Sequence, residues 1–282
     1  MLYLPPEKAK LVGELLTLLT VIPGVRAVVL GGSWARRSAR PDSDVDLALY
    51  YHEDRPFEID RVRAVAAHVN VTPSPVVTGF YEWGAWVNGG AWLTTRAGKV
   101  DFLYRNIEHV ERTLRDAQAG STQIDYAQQP TFGFHSTIYL AETHDCDPLY
   151  DPDNIIAGLK ARLPVYPPAL KTALIGQSLW GAEFTLYHLR GFAARGDIYN
   201  AVGCIARVFQ YLTHVLFAFN ETYFRGDKGA VELIAAFPRK PEGYLAAMNA
   251  LLAHPGASAE ELSRSADAVE RLWRAVKELV DS

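Results

Sequence analysis

Asp44 and Asp46 stand two positions apart in the run Asp42-Ser43-Asp44-Val45-Asp46-Leu47. In an extended strand, residues two apart project from one face. Both carboxylates therefore point one way, while Val45 and Leu47 point to a core. Carboxylates held together repel and raise each other's proton affinity unless a cation lies between them. A divalent metal is the usual cation, and Mg2+ takes one or two carboxylates plus substrate phosphate oxygens. Upstream, the apolar run Ala27-Val28-Val29-Leu30 ends in Gly31-Gly32-Ser33. Paired glycines let the backbone turn tightly and approach a ligand closely. Ser33 is expected to cap a short helix, whose free N–H groups suit phosphate. Arg36, Arg37 and Arg40 add positive charge nearby. A phosphate cradle followed by a paired-carboxylate strand points to metal-assisted chemistry on a nucleotide.

These residues need a scaffold, and the surrounding pattern supplies one. Pro5-Pro6 opens a helix in which Leu11, Leu15, Leu16 and Leu19 recur at helical spacing, and Pro23-Gly24 closes it. A strand to Leu30, a short helix at Ser33 and a strand from Val45 to Tyr51 follow. Pro56 to Val69 reads as a helix. Val76-Val77 and Ala91 to Thr95 read as strands, and Arg96-Ala97-Gly98 turns into a returning strand from Lys99 to Tyr104. In that last strand Val100, Phe102 and Tyr104 share the apolar face, and Asp101 lies on the other. An acidic residue inside an apolar strand is costly unless partnered. Ile107 to Ala117 reads as an amphipathic helix. The segment from Phe80 to Trp92 is rich in aromatics and glycine and could stack on a ring. Within it Trp92 reads as ordinary strand packing, while Trp83 and Trp86 are open to either role.

Gly32-Ser33, ten intervening residues, then Asp44-x-Asp46 resembles the signature of the nucleotidyltransferase superfamily, whose fold is that of DNA polymerase beta. The string from Gly32 through Arg36 to Pro41-Asp42-Ser43-Asp44-Val45-Asp46-Leu47 is similar to that of small bacterial and antibiotic-modifying members. The resemblance implies a third carboxylate on a later strand, for which Asp101 is the best match and Glu82 and Glu142 are weaker ones. It implies catalytic and metal-holding roles for Asp44, Asp46 and Asp101, with Mg2+ at a two-metal site. It also implies an NTP co-substrate, ATP first, whose phosphates Gly32, Ser33 and Arg36 would hold. The reaction implied is in-line transfer of NMP to an acceptor hydroxyl. Pro148-Leu149-Tyr150-Asp151-Pro152 resembles the segment by which many small members leave the catalytic domain.

Four prolines, Pro152, Pro164, Pro167 and Pro168, mark a boundary. The expected division is a catalytic domain over residues 1–152, a linker over 153–168 and a helical domain over 169–282. Beyond the boundary, apolar residues step by threes and fours from Ile175 to Ala193, Val202 to Phe219 and Leu262 to Val280. Ser258 and Glu261 form a capping box before the last helix. The fold class expected is α+β: a mixed sheet flanked by helices, then an all-helical up-and-down bundle. The loop from Asn220 to Gly229 carries Arg225 and Lys228. By resemblance to antibiotic-modifying enzymes, Lys228 would reach the triphosphate as the bundle closes one side of a cleft. Tyr199 and Asn200 could also face that cleft.

Bulk properties bound the partners. The 282 residues are 49% hydrophobic and carry a net charge of −4, against a broad nucleic-acid surface. Cys146 and Cys204 form no C-x-x-C pair and read as buried free thiols. His135, His144, Cys146 and Asp147 fit no zinc spacing. The N-terminus lacks a basic start and long apolar stretch, and no run is expected to reach membrane-spanning length, so a cytoplasmic protein is expected. The first-choice acceptor is a small hydroxylated molecule, and an aminoglycoside-like antibiotic would suit a carboxylate-lined cleft. A protein or RNA acceptor, as in toxin-like members, is second, and a non-catalytic nucleotide sensor third. Arg207 and His214 loosely resemble the R-x₄₋₆-H pattern of a helical ribonuclease family.

Overall fold

A computed structural model describes residues 3–282. Met1 and Leu2, which open the stretch read above for a leader, lie outside the described residues. The chain forms two compact units, Met1–Asp116 with Thr122–Val165, and Ala117–Ser121 with Tyr166–Ser282.

The first unit is built on a six-stranded mixed sheet. In chain order its elements are α1 (Pro6–Leu19), β1 (Ala27–Leu30), α2 (Gly32–Ala35), β2 (Val45–Tyr51), α3 (Ile59–Val69), β3 (Val76–Val77), β4 (Gly90–Thr95), β5 (Gly98–Asn106) and α4 (Ile107–Gln118). Then come β6 (Ile124–Asp125), β7 (Phe134–His135), α5 (Ile138–Asp145), β8 (Asp147–Tyr150) and α6 (Ile155–Lys160). The sheet order is β3-β4-β5-β2-β1-β8, and β6 pairs with β7 separately. Only β2 and β5 run parallel among these pairs. Their connection is long enough to hold α3 and a hairpin, as a parallel crossover requires.

Alternation along β2 and β5 divides the sheet's faces. Val45, Leu47, Leu49 and Tyr51 pack with Val100, Phe102 and Tyr104 against Leu11, Val12, Leu15 and Leu19 of α1 and Val62, Val65 and Ala66 of α3. Each fully buried side chain of this kind stabilises by about 1.5–3 kcal/mol relative to exposure. The opposite face carries Asp46, Ala48 and Tyr50 beside Asp101, Leu103 and Arg105. Helix α5 covers the Tyr50–Arg105 end, where Glu142 binds Arg105, and the Asp46–Asp101 end stays half-buried.

The second unit contains α7 (Pro168–Ala194), α8 (Ile198–Phe219), α9 (Ala230–Ala236), α10 (Tyr244–Ala253) and α11 (Ala259–Asp281). The apolar stripes of α7, α8 and α11 bury Leu186 and Leu189, Ile205 and Leu212, and Val269 and Val276. Asp197 caps α8 by accepting from the Asn200 N–H at 3.1 Å. Ser258 caps α11, accepting from the Glu261 N–H at 3.2 Å, while Glu261 accepts from the Ala257 N–H at 2.7 Å. The fold is thus α+β with a helical C-terminal part, as expected.

Two local expectations need correction. Helix α8 is long and apolar enough to cross a membrane, against the reading that no run reaches that length, and 56% of its most apolar window is buried inside the protein. Cys204 is half-buried rather than buried, though both cysteines are free thiols. Pro148 to Tyr150 lies in β8, which pairs antiparallel with β1 and forms the sheet's edge.

Candidate active site

Strand register assembles the site. Asp46 and Asp101 are direct partners on the parallel strands β2 and β5. Neighbouring strands lie about 4.8 Å apart, so the two carboxylates rise side by side from one face. Asp44 sits just before β2, at its mouth. On the other side of Asp46, the chain leaving β1 passes over the same carboxylate. The Gly31 N–H donates to the Asp46 carbonyl at 2.9 Å. Gly32 follows with φ +58°, and a Cβ there would lie 1.7 Å from Asp46 Oδ2. No side chain fits at position 32, so the glycine of the motif is the space into which the aspartate's oxygen projects.

The electrostatics follow from this crowding. The Asp46 carboxyl is pushed up from 3.8 to about 6, first by burial and then by the charges of Asp101 and Asp44. Arg36 opposes the shift, which places its guanidinium within electrostatic reach of Asp46. An all-oxygen donor set of coupled carboxylates matches what a hard divalent cation needs. Among the described residues, no three His, Cys, Asp or Glu side chains converge closely enough to hold a metal ion. The fit therefore rests on the mutual repulsion felt at Asp46, which a cation relieves.

Ser33 does not act as expected. Gly31 is the N-cap of the four-residue α2, with no side-chain cap bond, and Ser33 lies inside the helix. Its carbonyl accepts from the Ser38 N–H at 3.0 Å, which closes the loop that leads to Asp44.

Two residues that sequence reasoning passed over hold the carboxylate-bearing segments. Lys8 of α1 is only 4% exposed. Its ammonium donates to the Ser43 carbonyl at 3.0 Å and to the Ala97 carbonyl at 3.1 Å. Trp34 Nε1 also donates to the Ser43 carbonyl, at 3.2 Å. The residue before Asp44 and the hairpin turn before Asp101 are thus tied to one cation. Nothing local marks Lys8, because its partners lie 35 and 89 positions away. Arg37, read as part of the basic cluster, instead pairs with Asp147 of β8 at 2.8 Å.

The aromatic segment resolves into two parts. Trp86 is buried, 5.7 Å from Phe134 and from Tyr139 between ring centroids. Trp83 stacks on Trp92 at 3.9 Å and 17°. Trp92 is the direct partner of Asp101 across the β4–β5 pair, so it shares the acidic face. The weaker carboxylates part from the cluster. Glu142 holds both nitrogens of the buried Arg105 fork at 2.8 Å, though its charge still reaches Asp46. Glu82 is exposed in the turn before Trp83.

Residues 9–117 match the family described as Nucleotidyltransferase domain. This segment is a nucleotidyltransferase domain. Its superfamily is the one the Gly32-Ser33 and Asp44-x-Asp46 pattern resembles, and the match spans Gly32, Asp44, Asp46, Asp101 and both stacked tryptophans. Nucleotidyltransferase domains transfer NMP groups and use an NTP with a divalent metal. Residues 135–228 match a second family, described as Domain of unknown function (DUF4037). Among solved structures, a nucleotidyltransferase-like protein from Exiguobacterium sibiricum 255-15 is similar, at 10% identity and a TM-score of 0.47. That comparison covers 96% of this chain and 75% of the other. No curated protein matches the chain in sequence.

Lys8 falls one position before the matched nucleotidyltransferase segment, yet it ties together two of that segment's loops. Lys228 lies in the second unit, exposed in the loop between α8 and α9, at the last residue of the other match. Tyr199 is exposed at the start of α8, and Asn200 binds the Asp197 carboxylate at 2.7 Å. Arg207 donates to the Tyr211 hydroxyl at 3.0 Å, and His214 is buried 4.5 Å from the Phe224 ring. The ribonuclease-like pair is therefore split between a surface contact and a packed core.

Proposed function

We propose that the protein transfers an NMP group, AMP first, from an NTP to a hydroxyl of a small-molecule acceptor. The reading is carried by one observation: Asp46 and Asp101 are register partners on parallel strands, with Gly32 kept bare against Asp46. The first unit carries the chemistry in this proposal, with residues 1–152 as catalytic domain, 153–168 as linker and 169–282 as helical domain. Asp44 and Asp46, with Asp101, would hold Mg2+, which when bound neutralises charge on the triphosphate oxygens. Gly32 and Ser33 offer backbone N–H groups to the β- and γ-phosphates, and Arg36 adds its charge there. The acceptor oxygen attacks the α-phosphorus as the bond to the bridging oxygen breaks, and pyrophosphate leaves with that electron pair. Asp101, at the end of the row away from Gly32, takes the hydroxyl proton. The setting proposed is the cytoplasm, and a cationic, antibiotic-like acceptor is the leading candidate.

The deciding experiment supplies each α-labelled NTP with Mg2+ and a panel of hydroxylated small molecules, proteins and RNA. Pyrophosphate release and the label's destination are followed together. Label on a small molecule, lost with Asp46→Asn, supports the reading. Label on protein or RNA moves the acceptor class, and nucleotide binding without pyrophosphate release in any mixture makes the protein a sensor.

A further inference from the structure

Across the sheet the functional groups form a row. Gly32 lies against Asp46 on β2, Asp46 pairs with Asp101 on β5, and Asp101 pairs with Trp92 on β4. Trp83 lies on Trp92 as a stacked second indole and is 46% exposed. The nucleotide reading places the leaving pyrophosphate at the Gly32 end. In-line displacement brings the attacking oxygen in from the side opposite the leaving group. The acceptor must then arrive from the β4 side, where the paired indoles stand.

The pair is held in place rather than loosely folded over the strand. The segment before β4 is fastened at several points. The Asn88 amide donates to the Tyr51 hydroxyl at 2.7 Å, and the Asn106 amide donates to the Tyr81 hydroxyl at 2.8 Å. The Trp86 and Val87 N–H groups donate to Gln128 Oε1 at 3.1 and 2.9 Å. At Gly90 a Cβ would lie 1.9 Å from the Phe102 carbonyl, so the strand that bears Trp92 approaches β5 more closely than a side chain allows. A rigid aromatic face offers stacking area at little entropic cost.

We propose that Trp83 and Trp92 form the acceptor platform, and that the acceptor is a neutral or cationic hydroxylated ring whose flat face lies on the indoles while a hydroxyl reaches Asp101. An indole face is electron-rich and attracts polarised C–H groups and ammonium groups. This inference rests on the nucleotidyl-transfer reading for its direction of approach.

The test uses the full chain labelled with 5-fluorotryptophan, whose six indole signals are assigned by single Trp→Phe variants. Mg2+ and α,β-methylene-ATP are added first, and nucleotide binding is checked by the thermal shift. Glucosamine, glucose and a short RNA are then titrated separately. The expected result is a saturable 19F shift at Trp83 and Trp92 with glucosamine or glucose, leaving Trp34, Trp180 and Trp273 unmoved. Trp83→Ala should weaken the sugar response at Trp92 about fivefold, the scale of one lost stacking contact, without changing nucleotide affinity. If nucleotide binds but neither sugar moves the two signals, or if only RNA moves them, the platform assignment is overturned. A shift caused by nucleotide alone, with no further change on adding sugar, overturns it too. Absence of nucleotide binding instead sinks the transfer reading on which the direction of approach depends.

Discussion

The Asp46 carboxylate occupies the space where a side chain on Gly32 would be: a Cβ there would lie 1.7 Å from Oδ2. Gly32 also holds φ +58°, a conformation unfavourable for residues with a Cβ. The two halves of the motif, separated by ten residues in sequence, are therefore one steric unit. Gly32→Ala must displace the carboxylate or the backbone. It should cost about 1–2 kcal/mol of stability and lower the turnover of nucleotidyl transfer at least a hundredfold. Denaturant melts and pyrophosphate release measured on the same preparation check both figures. Full turnover in a folded variant would contradict the steric link.

Asp46 should also cost stability in the metal-free protein. Its folded value of about 6 lies above the ordinary 3.8, so the folded state holds the proton more tightly than the unfolded chain does. The cost is absent below the ordinary value, grows as pH rises and is complete above about 6. Asp46→Asn removes it. The variant should be more stable than the parent at neutral pH by on the order of 2 kcal/mol, and indistinguishable near pH 4. Adding Mg2+ at neutral pH should raise the melting temperature of the parent far more than that of Asp46→Asn. Thermal melts in chelator and in Mg2+ across that pH range provide the comparison.

Lys8 should matter to activity although it touches no carboxylate in the row. Its ammonium holds the Ser43 and Ala97 carbonyls, which precede Asp44 and Asp101. Lys8→Met keeps the packing length and removes both charge-assisted bonds. Taking the ammonium from the half-buried Ala97 carbonyl, and leaving the Ser43 carbonyl to Trp34 Nε1, should cost about 1–3 kcal/mol. The variant should also bind Mg2+ more weakly, measured by calorimetry in the presence of α,β-methylene-ATP. An unchanged Mg2+ affinity in a destabilised but folded variant would leave Lys8 with a purely structural role.

How much of this was readable in sequence depends on the reach of each interaction. The alternation Val45, Leu47, Leu49 and Val100, Phe102, Tyr104 exposes the sheet's two faces, because a strand's period is local. The three-and-four steps of α7, α8 and α11 reveal the bundle for the same reason. Asp101 stands out as a charge inside an apolar strand, but its pairing with Asp46 is a matter of register between segments over fifty residues apart. Lys8 carries no local mark, since a lysine in the first turns of a helix usually faces water. Ser33 misleads because Gly31 takes the cap position and starts the helix two residues earlier. Trp92 reads as packing because alternation cannot say that the next strand places Asp101 beside it. Helix α5 and strand β8 are short, and tertiary contacts rather than periodicity decide them.

The Arg105–Glu142 pair should prove essential to the fold beneath the site. Arg105 is 3% exposed and uses both ends of its fork on Glu142, at 2.8 Å each. A third nitrogen bond runs to its neighbour's carbonyl, from Nη1 to Tyr104 at 2.9 Å. The guanidinium also lies over the Tyr139 ring at 5.1 Å. Neutralising one partner of a fully buried pair leaves an uncompensated charge, at about 3–5 kcal/mol, and the 34% exposure of the Glu142 side chain lowers the cost here to about 2–3 kcal/mol. Glu142→Gln should therefore destabilise the protein by about that amount, because Arg105 stays charged with an amide in place of the carboxylate. Replacing both together, Arg105→Met with Glu142→Leu, removes the stranded charge and should recover more than half of the loss. A double-mutant cycle in denaturant measures the coupling, which should be well above 1 kcal/mol. Because Glu142 also raises the proton affinity of Asp46, the same Glu142→Gln protein should bind its proton at Asp46 less tightly. Its stability should consequently fall less than the parent's as pH rises through about 6, the window in which Asp46 ionises.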